Sequence, residues 1–206
     1  VPAGWLVALG ASTGGTEAIA HILAGMPAES PPVLIAQHIP EMFSRSFSER
    51  VDKISRLVVR EAEDGEIARN GHAYVAPGDR HLTVRRRGVE YVCVVDQAPA
   101  VNRHRPSVDV LFESVALAAA ARGVGVMLTG MGSDGARGLS AMRRAGARTL
   151  AQDKATSVVW GMPGAAAELG AVERIAPLEH LAAAIVGCVG AGSAGTGSAS
   201  VAAQAP

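Results

Sequence analysis

Three residues in this chain could together perform nucleophilic catalysis, and each follows an apolar run. Ser12 lies in Gly10-Ala11-Ser12-Thr13-Gly14, a G-x-S-x-G pattern directly after Leu6-Val7-Ala8-Leu9 and directly before Gly15. In such a pattern glycines permit the tight strand-to-helix turn that lifts a serine hydroxyl clear of the backbone. A serine hydroxyl is a weak nucleophile until a base takes its proton and a third group orients that base. His38 follows Val33-Leu34-Ile35-Ala36-Gln37, and Asp134 lies in Gly130-Met131-Gly132-Ser133-Asp134-Gly135 after the run Val124 to Thr129. Serine, histidine and aspartate at three strand ends match the nucleophile, base and orienter of a hydrolytic triad.

Each residue also has a structural reading. Ser12 could cap the helix that follows it or belong to a phosphate-binding turn. His38 could be a core histidine, and His21, His72, His81, His104 and His180 compete for the role of base. Asp134 could cap a helix beginning near Gly135. Taken singly, none of the three is decisive; their joint placement at strand ends favours catalysis.

Two other chemistries use parts of the same pattern. Gly130-Met131-Gly132-Ser133-Asp134-Gly135 also spells G-x-G-x-x-G, with Asp153 about 20 residues on, the dinucleotide fingerprint. Against that reading, bulky Met131 and acidic Asp134 lie where a pyrophosphate would have to sit. An α/β-hydrolase order of Ser12, Asp134 and His180 is the second alternative. That fold places its serine deep in the sheet behind an earlier oxyanion loop, whereas Ser12 follows the first strand.

The elements that must position these residues alternate in type. Leu6 to Leu9 precedes a helix from about Thr16 to Ala24, and Val33 to Gln37 precedes one from about Met42 to Lys53. Val124 to Thr129 is followed by a helix over Ala136 to Ala145 and then by the run Arg148 to Gln152. Strands that are continuously apolar, separated by helices, predict a doubly wound, mostly parallel α/β sheet with helices on both faces. His81 to Arg86 and Val89 to Val95 flank Gly88 and predict an antiparallel hairpin, with His72 in the same region. Pro106 precedes a helix over Ser107 to Ala121 whose Val108, Leu111, Phe112 and Val115 share one face.

Composition bounds the function classes. The 206 residues carry 19 basic and 19 acidic side chains and only 3% aromatics. That balance gives no electrostatic footprint or stacking platform for nucleic acid. Arg85-Arg86-Arg87 decorates the hairpin turn. Cys93 and Cys188 sit in apolar runs without metal-ligand spacing, so neither metal nor disulfide framework is expected, and a reducing cytoplasm suits both. No run is long enough to insert in a membrane and no signal peptide is visible. One domain is expected over residues 1–189, followed by an Ala/Gly/Ser-rich, disordered tail over 190–206. A start at Val1 rather than methionine suggests a fragment.

From Trp5 to Leu181 the chain resembles the catalytic domain of the chemotaxis protein-glutamate methylesterases, the CheB family. The resemblance rests on Gly10 to Ala18, Gln37-His38-Ile39-Pro40 with Phe43 and Arg45 to Phe47, and Glu61 to Gly65. It continues through Ala73 to Asp79, Val101 to Asp109 and Leu128 to Ala136. It implies Ser12, His38 and Asp134 as catalytic residues and hydrolysis of glutamyl γ-methyl esters on the cytoplasmic helices of chemoreceptors. Deamidation of receptor glutamines, a cytoplasmic location and the absence of any cofactor are implied too. Backbone N–H groups of Thr13, Gly14 and Met131 are nominated by position as oxyanion or substrate neighbours. Arg103 and Arg105 are candidates for meeting an acidic receptor surface or for packing around Pro106. Members of this family usually carry an N-terminal phosphoacceptor receiver domain; nothing in the present sequence resembles one.

Overall fold

The computed structural model describes residues 4–190. Seven strands form one parallel sheet. They are β1 (Leu6–Ala11), β2 (Val33–Gln37), β3 (Val58–Glu61), β5 (His72–Val75), β8 (Gly123–Met127), β9 (Arg148–Gln152) and β10 (Arg174–Ala176), in the order β10-β9-β8-β1-β2-β5-β3. Every neighbouring pair in it is parallel. A second, antiparallel sheet of order β4-β7-β6 is built from β4 (Ile67–Ala68), β6 (His81–Arg87) and β7 (Glu90–Asp96). The expected hairpin is therefore β6–β7, with β4 added as a third strand. His72 is not in that region but in β5 of the main sheet.

The helices are α1 (Gly15–Gly25), α2 (Glu41–Asp52), α3 (Val108–Ala119), α4 (Ala136–Arg144), α5 (Gly161–Glu168) and α6 (Leu178–Gly190). β1 explains why they divide between two faces. All six of its residues are buried, and alternate side chains enter different cores. Val7, Leu9 and Ala11 pack with Ile19, Ile22 and Leu23 of α1, Phe47 of α2 and Ile185 of α6. Leu6 and Ala8 pack with Phe112 of α3, Leu139 of α4 and Met162 of α5. Full burial of each such large side chain stabilises the fold by about 1.5–3 kcal/mol. The tail expected over 190–206 lies, from residue 191 onward, outside the described residues.

The chain runs from β1 outward through β2 towards β3, then returns to β8 on the other side of β1 and continues to β10. The order thus reverses between β1 and β8. Ligands of open parallel sheets bind outside the strand ends at such a switch point. Ser12 follows β1, and the Gly130–Asp134 loop follows β8.

Candidate active site

Ser12 leaves the end of β1 half-buried, its backbone N–H donating to Thr129 O at 3.0 Å. It does not cap α1. The residue capping that helix is Gly14, in the left-handed region at φ 80°, and no side chain caps it. Gly10, the other glycine of the pattern, lies inside β1, where a β-carbon would come within 2.2 Å of Val108 Cγ1. Its missing side chain accommodates α3, not the turn. Gly130 serves closeness of another kind, because a β-carbon there would lie 2.8 Å from Ser12 Cβ. It lets the loop after β8 run against the serine.

His38 is reached directly from β2, its N–H donating to Ala11 O at 3.1 Å. Gln37 ties the two strand ends together: its Nε2 donates to Ser12 O at 2.9 Å and to His38 O at 3.0 Å. Across 96 positions of sequence, His38 Nε2 meets Asp134 Oδ2 at 2.7 Å, with the two side chains 8% and 1% exposed. A ring turned so as to put a carbon at that position would overlap the carboxylate, so Nε2 is the nitrogen that faces the acid. His38 Nδ1 is buried without a partner among the described residues. Ser12 Oγ makes no hydrogen bond among the described residues. The structure thus joins His38 to Asp134 and sets Ser12 at the neighbouring strand end.

Asp134 does not cap α4 either, since Gly135 occupies that position without a side-chain bond. Its carboxylate sits instead at the start of α3. Oδ1 accepts from Ser107 Oγ at 2.8 Å and Asn102 Nδ2 at 2.7 Å, and Oδ2 accepts from Val108 N at 2.7 Å as well as from His38. Glycines make this approach possible, because a β-carbon at Gly135 would also strike Val108, at 2.4 Å from Cγ1. Burial alone would raise the carboxyl pKa. The donors from His38, Asn102, Val108 and Ser107 outweigh that and hold Asp134 well below the usual carboxylate range. Partial positive charge at the α3 N-terminus acts in the same sense.

Several residues that shape the site were not singled out by sequence reasoning. His104 stacks on His38 with ring centroids 3.6 Å apart and planes 5° from parallel. Burial, reinforced by the neighbouring His38, lowers its pKa below the ordinary imidazole value. Asn102, Ser107 and Gln37 hold the strand and helix ends. Of these only Ser107 carried a local signal, as a capping residue before a helix, and its Oγ does accept from Val110 N. The other histidines fall elsewhere. His81 is a satisfied core residue between Pro99 O and Ser107 N, while His21 and His180 are exposed. Arg105 is engaged by Asp79 and the carbonyls of Gln97 and Ala98, which favours packing over receptor contact. Thr13 and Met131 are exposed beside Ser12, and the backbone N–H groups of Thr13, Gly14 and Met131 make no hydrogen bond among the described residues.

Ligand atoms of His38, His104 and Asp134 lie within 4.8 Å of one another. A shared cation would have to lie in the plane of both imidazoles, and two nearly parallel rings stacked face to face offer no such point. The arrangement suits ring packing rather than chelation.

A family model described as CheB methylesterase matches residues 7–185. The chain belongs to the CheB methylesterase family. A protein-glutamate methylesterase/protein-glutamine glutaminase of Photorhabdus laumondii is 54% identical over 189 residues, covering 92% of this chain and 54% of that protein. The similarly named protein of Escherichia coli K12 is 53% identical over 189 residues, again 92% of this chain and 54% of the relative. The crystal structure of the Thermotoga maritima CheB methylesterase catalytic domain superposes with a TM-score of 0.87 at 34% identity, covering 90% of this chain and 99% of that one. The CheB family assignment and its doubly wound fold thus agree with the expectation from sequence. The chain spans about half the length of the curated relatives it matches. Among the described residues no helix is long and apolar enough to cross a membrane.

Proposed function

We propose that this CheB-family chain is a serine hydrolase that removes methyl groups from glutamyl γ-methyl esters of chemoreceptor cytoplasmic domains, in the cytoplasm. The observation that carries this reading is the His38–Asp134 pair, closed at 2.7 Å beside Ser12 at the switch point of the sheet. The names of the relatives support the substrate, and the second half of those names supports deamidation of receptor glutamines at the same site.

Ser12 Oγ attacks the ester carbonyl and His38 takes its proton. Because Nε2 already donates to Asp134, the accepting atom is Nδ1. Asp134 fixes that tautomer and stabilises the imidazolium that forms. The tetrahedral oxyanion is received by N–H groups among Thr13, Gly14 and Met131, which have no partner among the described residues. The N-terminus of α1 adds a favourable dipole there. His38 then returns the proton to the departing methanol, and water, activated by the same nitrogen, releases the new glutamate from Ser12. For a glutamine, ammonia leaves in place of methanol and the acyl-enzyme is identical.

The test is methanol release from radiolabelled, methylated receptor membranes. Ser12→Ala and His38→Ala should each lower the rate by about four orders of magnitude or more, with the circular dichroism of the folded protein retained. A Ser12→Ala protein that still releases methanol would overturn the reading.

A further inference from the structure

The 2.7 Å bond to Asp134 fixes one atom of His38 but leaves the ring free to turn about the line through Nε2. The structure carries a second restraint. His104 lies flat on His38, which blocks that turn. His104 is itself delivered by a short reverse turn in which Val101 and His104 exchange both backbone hydrogen bonds, at 3.1 and 2.9 Å. The two residues between them, Asn102 and Arg103, both adopt left-handed conformations at φ 53° and 65°. Asparagine tolerates that region well, whereas arginine does so only under constraint. The constraint is visible. One amide group, Asn102 Nδ2, donates to Asp109 Oδ2 at 2.8 Å and to Asp134 Oδ1 at 2.7 Å.

Asp109 makes two further contacts that catalysis does not use. It is 2% exposed, and its Oδ1 accepts from Gly138 N of α4 at 2.7 Å, with Arg137 Nε 3.4 Å from Oδ2. Two buried carboxylates anchored on α3 and at the start of α4 therefore grip the same amide. A side chain with two N–H donors suits that place, because an acid there would be repelled and an aliphatic side chain would cost each oxygen one of its donors.

We propose that Asn102 is a positioning residue: by spanning Asp109 and Asp134 it holds the 101–104 turn shut, and the turn holds His104 against His38 so that Nδ1 keeps its aim. This rests on the hydrolytic reading of Ser12, His38 and Asp134. A neutral ring is also the right surface to lay on a base that becomes positively charged during each turnover, since its π-face attracts a cation.

Four proteins test it: wild type, Asn102→Gly, His104→Ala and His104→Phe. Glycine at 102 accepts the left-handed conformation but removes the amide, which separates the bridge from the turn preference. Phenylalanine at 104 keeps a flat ring without its nitrogens. Steady-state demethylation of methylated receptor membranes is measured beside the low-field proton resonance of His38 Nε2–H. Asn102→Gly and His104→Ala should lower kcat by about tenfold to a hundredfold with KM nearly unchanged, and should broaden or abolish the resonance. His104→Phe should recover most of the loss in both. Wild-type kcat and a sharp resonance in Asn102→Gly would overturn the proposal, as would equal impairment of His104→Phe and His104→Ala. Should Asn102→Gly fail to fold, the two His104 variants decide alone. Failure of the hydrolytic reading looks different: the wild-type protein would release no methanol, while the resonance would still respond to the variants.

Discussion

Replacing Asp134 with asparagine separates the two tasks of that carboxylate. The wild-type group accepts four short bonds, from His38 Nε2, Val108 N, Ser107 Oγ and Asn102 Nδ2, and donates none. An amide of the same shape must turn its NH2 towards one pair of donors. Facing Ser107 and Asn102, it can be met by the serine hydroxyl, which rotates to accept, but not by the Asn102 amide. Facing Val108 and His38, it forces His38 to present a bare Nε2 and to carry its proton on Nδ1, where the nucleophile's proton has to go. The two orientations forfeit one or two charge-assisted bonds at about 1.5–3 kcal/mol each, or about 1.5–6 kcal/mol. That is a large fraction of the about 5–15 kcal/mol that holds a domain together. A fall of about 3–24 °C in Tm should follow. Where the amide takes the second orientation, turnover should fall by about 10⁴ through the wrong tautomer. Acid adds a check of sign. The folded pKa of Asp134 lies below its unfolded value, so its stabilisation is complete above the ordinary carboxylate range and is lost as pH falls through it. The stability gap between wild type and Asp134→Asn should therefore narrow from pH 7 to pH 3 in urea titrations. An Asp134→Asn protein with unchanged midpoint and kcat within tenfold of wild type would refute the reasoning.

Two further outcomes follow from packing and burial. A β-carbon at Gly15 would lie 2.1 Å from Gln37 Oε1 and 2.5 Å from Ala11 Cβ, so Gly15→Ala should destabilise by about 1–3 kcal/mol. It should also lower kcat more than a distant substitution of equal cost, because Gln37 ties the Ser12 and His38 carbonyls together; urea melts and methanol release on the same sample check both. Burial, with Glu66 nearby, pushes the Cys93 thiol up to about 12. Cys93 should thus resist iodoacetamide at pH 8 in the folded protein and react once urea unfolds it, as read by peptide mass spectrometry.

Residues that share a strand end could be read from the sequence, because a continuous apolar run fixes the strand and the strand fixes where its last residue emerges. Ser12, His38 and Asp134 stand out as candidates that way, and β2 and β9 match the expected runs to the residue. The short strands β3, β4 and β10 carry too few apolar positions to stand out, which is why a third antiparallel strand came as an addition. What sequence could not supply is the depth at which α3 lies on β1. Val108 fits between Gly10 and Gly135, two glycines 125 positions apart, and that fit presents the first amides of α3 to Asp134. From it follow the charge state of the acid, the grip on Asn102 and the place of His104. The same contact changes what the serine motif means. Its first glycine serves a helix packed behind the sheet, and the nitrogen of His38 left for the serine depends on the direction from which Asp134 arrives. A pattern search singles out Ser12; the packing of α3 decides which nitrogen of His38 is left free to face it.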